Sequence, residues 1–214
     1  MSSKQVLNVL TRTSGRPNYF KENVDSVKCQ LYPYIRHIVC ADDDASFEYA
    51  SKEVKDVIRV DRKEKREQHG IMHSPYNLYC NELMSQVTDG WVMFLDDDDI
   101  FYDVTSISNV MKSIESENDF IIWKTQLHHK ILPSYSFGKG IAFTDICSNS
   151  FMFHSKHIWA AQWDEVKESD FRVAFKLARL LNIKWVNKII TKVNNDFNIH
   201  GPTGVGLGNR KDKQ

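Results

Sequence analysis

The amino-acid sequence predicts an α/β fold, with a mostly parallel central sheet flanked by helices and a smaller mixed part in the second half. One observation predicts this fold class, and a second predicts where its site lies. Short apolar segments alternate with helical patterns through the first hundred residues, which is typical of right-handed β-α-β units. Acidic clusters directly follow two of these segments, at residues 42–44 and 96–99. Ligands of α/β sheets bind beyond the carboxyl ends of strands, so a site is expected there.

Length and composition limit the class of protein. The chain has 214 residues, of which 42% are hydrophobic and 26% charged, and these values predict one folded domain rather than a disordered chain. Lysine plus arginine and aspartate plus glutamate both number 28, so the net charge is zero. This balance argues against a nucleic-acid coat and against a polybasic membrane binder. The charged C-terminal end allows the chain to be one domain of a longer protein.

The same composition predicts the cellular compartment. The N-terminus lacks the apolar stretch of a signal peptide, and no apolar run approaches the ~20 residues of a membrane span. The spacing of the four cysteines fits neither a zinc knuckle nor a CxxC pair, and Cys29, Cys40 and Cys80 lie in apolar-periodic segments. We therefore expect a soluble cytoplasmic protein with buried, reduced thiols.

The apolar periodicity predicts the elements of the first half. A loop by composition follows the first strand, and Asn18 is placed to cap the first helix. The charge run at residues 61–68 is read as a solvated loop. The expected order is a strand at 6–10, a helix after Asn18, a strand at 35–41, a polar helix at 47–55, a strand at 57–60, a helix after Ser74 and a buried strand at 91–95.

The second half has a looser rhythm. Residues 168–181 have the clearest helical pattern, with apolar side chains on one face. The tail from residue 194 onward is polar and glycine-rich. The expected elements are a helix at 104–114, strands at 120–127 and 141–144, a helix at 168–181 and one or two strands at 184–193.

Four adjacent aspartates form the strongest chemical signal. In an extended chain Asp96 and Asp98 would face one way, and Asp97 and Asp99 the other. A D-x-D pair on one side offers hard oxygen ligands for Mg²⁺ or Mn²⁺, and substrate phosphates usually complete the metal shell. The plain alternative is an acidic turn that caps the next helix.

Three further acids and one histidine are weaker candidates. Asp42 and Asp43 could border the same crevice and accept hydrogen bonds from a base or ribose, or they could form Asx turns. Asp170 starts a predicted helix, where an N-cap or a dipole contact is the plain reading. His200, in the glycine-rich tail, could fold over the site.

Four segments together resemble the GT-A nucleotide-sugar glycosyltransferases of the large family-2-like group. They are VLTRTSGRP, HIVCADDD, WVMFLDDDD and ESDFRVAFKLARLLNIKWV, in the family's order over about residues 5–200. The chain departs from the family at Asp44, where glycine is common, and at residues 74–77, where an arginine is missing. Arg62 or Arg66 could supply the missing phosphate contact. A fainter similarity is to glycosyltransferases encoded by large algal viruses.

The resemblance implies a metal-dependent, inverting transfer of a hexose-type sugar from a nucleotide diphosphate sugar, with a UDP-sugar as the expected donor, to a hydroxyl of a glycan or glycoconjugate. It implies one catalytic domain over residues 1–214, with a nucleotide-binding half (about 1–100), an acceptor-binding half (about 101–200) and a flexible tail (201–214). The implied nucleotide contacts are Thr11, Thr13, Arg16, Asp42, Asp43, Asn77, Asp96 and Asp97. Asp96, Asp98 and His200 would bind Mn²⁺ or Mg²⁺, and Asp170 would be the general base.

Two other functions remain open from the sequence. A sugar-phosphate nucleotidyltransferase has a similar sheet, but it needs a glycine-rich basic loop after the first strand, and TRTSGRP has one glycine. A non-catalytic sugar- or metal-binding module of the same fold would also suit a short chain. Residues 130–153 are expected to line the acceptor side. Trp123, Tyr135 or Trp163 could stack on a sugar ring, although core packing is the plain alternative for each.

Overall fold

The structure, a computed structural model, describes residues 5–63, 66–68 and 71–194. Its α-helices are α1 (Pro17–Lys28), α2 (Asp44–Glu53), α3 (Tyr79–Ser85), α4 (Ser106–Met111) and α5 (Ser169–Leu180). Its strands are β1 (Leu7–Thr13), β2 (Ile35–Ala41), β3 (Asp56–Arg59), β4 (Arg66–Gln68), β5 (Ile71–His73), β6 (Trp91–Phe94), β7 (Asp99–Phe101), β8 (Asp119–Leu127), β9 (Lys130–Leu132), β10 (Phe151–His154) and β11 (Asn182–Val193). Short 3₁₀ helices cover Pro75–Leu78, Ser148–Ser150 and Ser155–Ala160.

One large sheet organises the described part of the chain. Eight of its nine strands follow the order β3-β2-β1-β6-β10-β8-β11-β7, and the ninth, β9, pairs with β8. The strands β3, β2, β1 and β6 are parallel, whereas β10 runs antiparallel to both of its neighbours. The predicted α/β class is confirmed, with a parallel first half and a mixed second half. None of the helices in the described ranges is long and apolar enough to cross a membrane.

Strand β6 lies at the centre of two apolar cores. Val92 and Phe94 belong to the cluster on one face of the sheet, and Trp91 and Met93 to the cluster on the other. All four side chains are at most 1% exposed. Burial on both faces explains the unbroken apolar run, which a strand with a solvated face would not tolerate. Because both of its faces are covered and β1 and β10 flank it, β6 lies inside the sheet. Residues 96–99 follow its end and therefore lie near the middle of the sheet edge.

Several sequence predictions about the elements were wrong. The charge run is not all loop, because Arg66–Gln68 pairs antiparallel with Ile71–His73. Residues 141–144 do not form a strand, since 141 and 142 are irregular and 143 and 144 lie in a turn, and the neighbouring strand Phe151–His154 was not predicted. Cys29 is exposed instead of buried. These elements are three or four residues long, so periodicity gives a weak signal for them.

Two helix starts also differ from the prediction. Helix α1 begins at Pro17 with Arg16 in the N-cap position, and Asn18 lies inside the helix. Proline suits the first helical turn because its missing N–H has no intrahelical partner there. Ser74 gives no side-chain cap to the 3₁₀ helix Pro75–Leu78 that precedes α3. Neither helix start therefore has a side-chain cap, and each has a proline in its first turn.

The turn before β6 requires glycine at position 90. Gly90 has a φ of +90°, and a Cβ there would lie 2.4 Å from the backbone oxygen of Val6. We expect Gly90→Ala to lower the free energy of unfolding by more than about 2 kcal/mol, because backbone strain and a backbone clash combine. Gly138→Ala is the control, since Gly138 has a φ of +78° but nothing within 4 Å of its Cβ position. Equal losses in urea denaturation would contradict the role of the Val6 contact.

Candidate active site

The carboxyl ends of three parallel strands define the candidate site. Strand β1 lies between β2 and β6 and is parallel to both. The loop that carries Arg16 follows β1, the first acidic cluster follows β2, and the second follows β6. The expectation that the two acidic clusters border the same edge of the sheet is therefore confirmed.

The chain turns sharply at residues 96–99. The backbone N–H of Asp99 donates to the carbonyl oxygen of Asp96 at 2.8 Å, which closes a four-residue turn before β7. From α1, the side-chain amide of Asn23 donates to the carbonyl oxygens of Asp96 at 3.0 Å and Asp99 at 2.9 Å. The alternation expected for an extended chain is therefore wrong, because these side chains project from a turn.

Arg16 lies buried against two of the four aspartates. Its Nη1 is 3.1 Å from Oδ2 of Asp98, its Nε donates to Oδ2 of Asp97 at 3.2 Å, and its Nη2 also contacts Asp97. Thr13 donates to Oδ2 of Asp97 at 2.9 Å. Burial raises the pKa of Asp97 to about 7, although Arg16 opposes the shift. Asp97 is fully buried, so its side chain stabilises the turn through contacts within the protein.

Arg12 forms a second ion pair at this edge. Its Nε donates to Oδ1 of Asp96 at 2.8 Å, and its Nη2 donates to Oδ2 at 2.5 Å. The guanidinium also lies over the ring of Trp163, 5.9 Å from its centroid. Such a two-point contact fixes both side chains. The side chain of Asp96 is 20% exposed, so a ligand can reach this pair.

Arg12 is a residue of this site that was not predicted from the sequence, and only its burial in the structure reveals its role. It lies in a strand that is buried at every position. A buried guanidinium requires a charged partner, since unpaired burial of its charge is very costly. That requirement points to a carboxylate in a neighbouring strand or loop, and Asp96 supplies it.

The first acidic cluster contains a carboxylate oxygen that lacks a partner. Asp42 is 4% exposed, and its Oδ2 accepts a hydrogen bond from the hydroxyl of Tyr79 at 3.3 Å. Its Oδ1 is buried and has no hydrogen-bond partner in the described part of the chain. An unsatisfied buried acceptor is costly, so a ligand donor at this position would be favoured.

The neighbouring Asp43 has a defined structural role. Its Oδ1 accepts from the backbone N–H of Ser46 at 2.7 Å and caps α2. Arg62 approaches both acids, with nitrogen–oxygen distances of 3.8 Å to Asp42 and 3.6 Å to Asp43. Among the described side chains of the charge run, Arg62 therefore reaches the site. The side chain of Arg66 lies outside the described residues, so its proposed phosphate contact stays a prediction.

Asp170 lies in the first turn of α5, within electrostatic range of Arg12 and Asp96. Burial raises its pKa, and the nearby charges of Asp96 and Glu168 add to the increase. The N–H of Phe171, which donates to Oδ1 at 2.9 Å, and the charge of Arg12 oppose it. Glu168 occupies the N-cap position with a φ of +67° and makes no side-chain cap. The environment of Asp170 is therefore that of a partly buried carboxylate at the site.

Two asparagines tether the segment that leads into α5. Asn77 donates from Nδ2 to the carbonyl oxygen of Val166 at 3.0 Å. Asn81 donates to the carbonyl oxygen of Trp163 and accepts from its N–H, both at 2.9 Å. Asn77 is only 7% exposed and uses its amide within the protein. Asn81 was missed from the sequence, where nothing distinguishes it from a surface asparagine of a helix.

Thr11 joins the ends of β1 and β6. Its hydroxyl donates to the carbonyl oxygen of Leu95 at 2.7 Å and therefore accepts the hydrogen bond from Nε2 of His37, at 2.9 Å. Thr11 is fully buried, so its hydroxyl links the ends of the two strands and does not face solvent. Burial lowers the pKa of His37 to about 3, and the charge of Lys28 adds to this effect.

The neutral imidazole of His37 predicts a pH dependence of stability. The unfolded chain binds a proton at this histidine near pH 6.5, whereas the folded chain does so only near pH 3. This group should therefore lower the free energy of unfolding by up to about 1.4 kcal/mol per pH unit as the pH falls between these values. His37→Gln retains a donor for Thr11 and should reduce the slope in urea titrations from pH 7 to pH 4. An unchanged slope would contradict the assignment.

The acidic turn offers the chemistry of a cation site but not a complete one. Carboxylates are the ligands that Mg²⁺ and Mn²⁺ prefer. Both oxygens of Asp96 already accept from Arg12, and Asp98 contacts Arg16. The described ranges contain no group of three His, Cys, Asp or Glu side chains that could hold a metal ion, and His200 lies outside them. The acidic turn alone therefore does not complete a cation shell, and substrate phosphates would have to supply further ligands.

The three aromatic candidates for sugar stacking have different environments. Trp123 is fully buried and donates from Nε1 to the carbonyl oxygen of Asn149 at 2.9 Å, so its predicted stacking role is wrong. Trp163 is 5% exposed and packs under Arg12. Tyr135 is 62% exposed, within the segment expected to line the acceptor side.

Comparison with solved structures defines the class of fold. The chain has the GT-A-like glycosyltransferase fold, and matching structures cover about nine-tenths of it. At 14% sequence identity these matches establish the fold alone. No protein-family model matches the chain, and neither does any curated protein sequence.

Three particular structures illustrate the similarity. S. aureus TarS 1-349 matches with a TM-score of 0.72 over 88% of this chain and 60% of its own. Its complex with UDP-GlcNAc matches with a TM-score of 0.70 over 89% of this chain and 59% of its own. The mannosyltransferase PcManGT from Pyrobaculum calidifontis, in complex with GDP-Man and Mn²⁺, matches with a TM-score of 0.66 over 90% and 58%, respectively. All three are 14% identical in sequence, and the chain spans 58–60% of their lengths.

Proposed function

We propose that the protein is a glycosyltransferase that moves a sugar from a nucleotide diphosphate sugar to an acceptor hydroxyl. The observation that carries the proposal is the position of Asp170, a carboxylate of raised pKa, within electrostatic range of the fixed Arg12–Asp96 pair. The pair lies at the sheet edge to which Asp42 also belongs. Neighbouring structures that hold UDP-GlcNAc and GDP-Man support this donor class, and a UDP-sugar is the donor we expect.

Asp42 is the proposed contact for the nucleoside. Its buried, unpartnered Oδ1 would accept a hydrogen bond from an N–H of the base or a hydroxyl of the ribose. Asp43 and Arg62 would hold the loop beside it, and Arg62 supplies positive charge for the phosphates. Thr11, Thr13, Arg16, Asn77 and Asp97 are buried, and we assign them to positioning the loops that contact the donor.

Asp96 and Asp98 form the proposed D-x-D metal site, with His200 as a candidate third ligand and with the donor phosphates completing the shell. A bound Mn²⁺ or Mg²⁺ would neutralise negative charge on the diphosphate leaving group. The neighbouring structure with GDP-Man and Mn²⁺ supports this part of the proposal. In the chain itself, Arg12 and Arg16 hold the two carboxylates in place.

Asp170 is the proposed general base. The acceptor hydroxyl would lose its proton to the carboxylate as its oxygen forms a bond to the anomeric carbon, while the bond from that carbon to the diphosphate breaks. The nucleoside diphosphate leaves with the electron pair of that bond. Attack opposite the leaving group inverts the anomeric centre. The raised pKa suits this role, because a base works best when its pKa approaches the working pH.

Calorimetric titration with UDP, GDP, dTDP and CMP, each with and without Mn²⁺, tests the proposal. We expect one nucleoside diphosphate to bind, and to need the metal to do so. The matching nucleotide sugar should then be turned over with a suitable acceptor. Absence of nucleotide binding by folded protein would refute the proposal. Binding without turnover over a broad acceptor panel would indicate a non-catalytic module, and pyrophosphate release from a nucleoside triphosphate and a sugar phosphate would indicate a nucleotidyltransferase.

Asp98→Asn tests the metal assignment. We expect the variant to bind the nucleotide at least about 10-fold more weakly in the presence of Mn²⁺, because a ligand of the metal is lost. Binding without Mn²⁺ should change less. Asp25→Asn, at an exposed ion pair on α1, is the control. Circular dichroism must show that both variants are folded, since Asp98 also pairs with Arg16. Unchanged Mn²⁺-dependent binding would place the metal elsewhere.

A further inference from the structure

A patch of exposed apolar side chains surrounds the C-terminal half of α5. Trp159 is 69% exposed, Phe175 43% and Leu180 56%, although residues of these types are usually buried. Together with Lys176 and Arg179 they line a shallow cavity of about 450 Å³, and we call these five residues the basic apolar patch. Large exposed apolar side chains that cluster in this way mark an interaction surface.

The patch is positively charged. Among the described residues, no carboxylate lies within ion-pair distance of Lys176 or Arg179. The guanidinium of Arg179 instead lies 5.8 Å from the ring centroid of Phe175. Arg172, on the same helix, is paired with Asp164 at 2.5 Å. The chain has no net charge overall, so the two unpaired cations are a local feature of this surface.

We propose that the basic apolar patch binds the surface of an anionic phospholipid bilayer. Tryptophan with neighbouring lysine and arginine is typical of protein segments at a membrane interface. Leu180 favours lipid over a glycan, because an aliphatic side chain cannot stack on a sugar ring. The charges favour lipid over a second copy of the chain, since a symmetric contact through this surface would bring two positively charged patches together.

The same helix connects the patch with the candidate active site. Asp170 and Leu180 are ten residues apart on α5, which corresponds to about 15 Å along the helix axis. Between them, Phe171 contacts Phe143 and Phe175, with ring centroids 5.3 Å and 5.8 Å apart. Membrane binding would therefore hold the site close to the lipid surface. The proposal does not depend on the proposed function, because binding to vesicles can be measured without donor or acceptor.

Tryptophan fluorescence provides a specific assay for this contact. Trp91, Trp123 and Trp163 are at most 5% exposed, and Trp185 is partly buried, so Trp159 is the tryptophan that lipid can reach. The protein is mixed with vesicles of phosphatidylcholine alone, or with phosphatidylglycerol added, and binding is measured by co-sedimentation. Lipids brominated near the headgroup report contact through quenching. We expect binding to the anionic vesicles, weakening with salt, and quenching that Trp159→Phe removes while binding persists.

Charge reversal separates the patch from the rest of the surface. The double variant Lys176→Glu, Arg179→Glu should bind anionic vesicles at least about 10-fold more weakly. The double variant Lys21→Glu, Lys52→Glu changes the net charge equally, at exposed lysines of α1 and α2, and should bind as the wild type does.

Three results would overturn the proposal. The first is that the protein does not bind anionic vesicles, and the second is that both double variants lose vesicle binding equally. The third is that soluble polyphosphate displaces the vesicles while Trp159→Ala binds them as the wild type does. The last result would indicate a site for a soluble polyanion. Each of them leaves the nucleotide titrations unaffected, so failure here is distinguishable from failure of the proposed function.

Discussion

Asp170→Asn is expected to lower turnover by about 10²–10⁴-fold, because a positioned general base contributes that much to a proton transfer. Asparagine has the same shape and can still accept the hydrogen bond that the N–H of Phe171 donates, so α5 should keep its start. The affinity for the nucleotide should be unchanged, because Asp170 is assigned to the acceptor. Steady-state kinetics with the identified donor, together with calorimetry, measures both quantities.

Glu168→Gln is the matched control for this experiment. Glu168 is an exposed carboxylate two residues away, and it contributes to the raised pKa of Asp170. Its loss should change turnover only slightly. If Asp170→Asn retained normal turnover, Asp170 would have only a structural role at the start of α5. If both variants lost turnover equally, the local charge rather than the base would be responsible.

Arg16→Met is expected to lower the free energy of unfolding by about 3–5 kcal/mol, because it leaves buried carboxylates without their cation. Arg16 is 1% exposed, and Asp97 is fully buried. A loss of this size is a large fraction of the stability of a typical domain. Urea denaturation followed by circular dichroism measures it. Lys21→Met removes the exposed pair with Asp25 from the same helix and should cost less than about 1 kcal/mol.

A double variant tests whether the loss comes from unpaired charge. Asp97→Asn removes the charge that Arg16 neutralises, so Arg16→Met with Asp97→Asn should be less destabilised than the sum of the two single variants. Should Arg16→Met fail to fold, Arg16→Lys keeps the charge but loses the planar fork, and should have an intermediate stability. Additive losses would show that the ion pair is not the source of the effect.

The sequence predicted the features that depend on neighbouring residues. Strand β6 was recognised because each of its four residues is apolar, and the acidic clusters were located because they directly follow strands. The parallel pairing of β3, β2, β1 and β6 agrees with the predicted alternation of strands and helices, whereas the order of these strands in the sheet was not predicted. These local patterns are sufficient to predict the edge of the sheet at which the candidate site lies.

Features that depend on distant residues could not be predicted in this way. Strand β10 pairs between β6 and β8, which are far from it in the chain, and its four residues resemble any short apolar run. The turn at residues 96–99 is held by Asn23 of α1, more than seventy positions earlier. Arg12 and its partner Asp96 are separated by a similar distance along the chain. Such partners are fixed by how the elements pack, which a single sequence does not reveal.

The internal ion pairs at the acidic turn also bear on how fast a donor can bind. The positive charges of Arg12 and Arg16 compensate the negative charges of the aspartates. The side-chain amide of Asn23 holds the turn by donating to two of the turn's backbone carbonyl oxygens. Folding of the turn therefore does not depend on a bound cation. A ligand meets a surface whose shape is already set, so its association rate should be governed by diffusion and charge attraction rather than by a slow ordering of the loop.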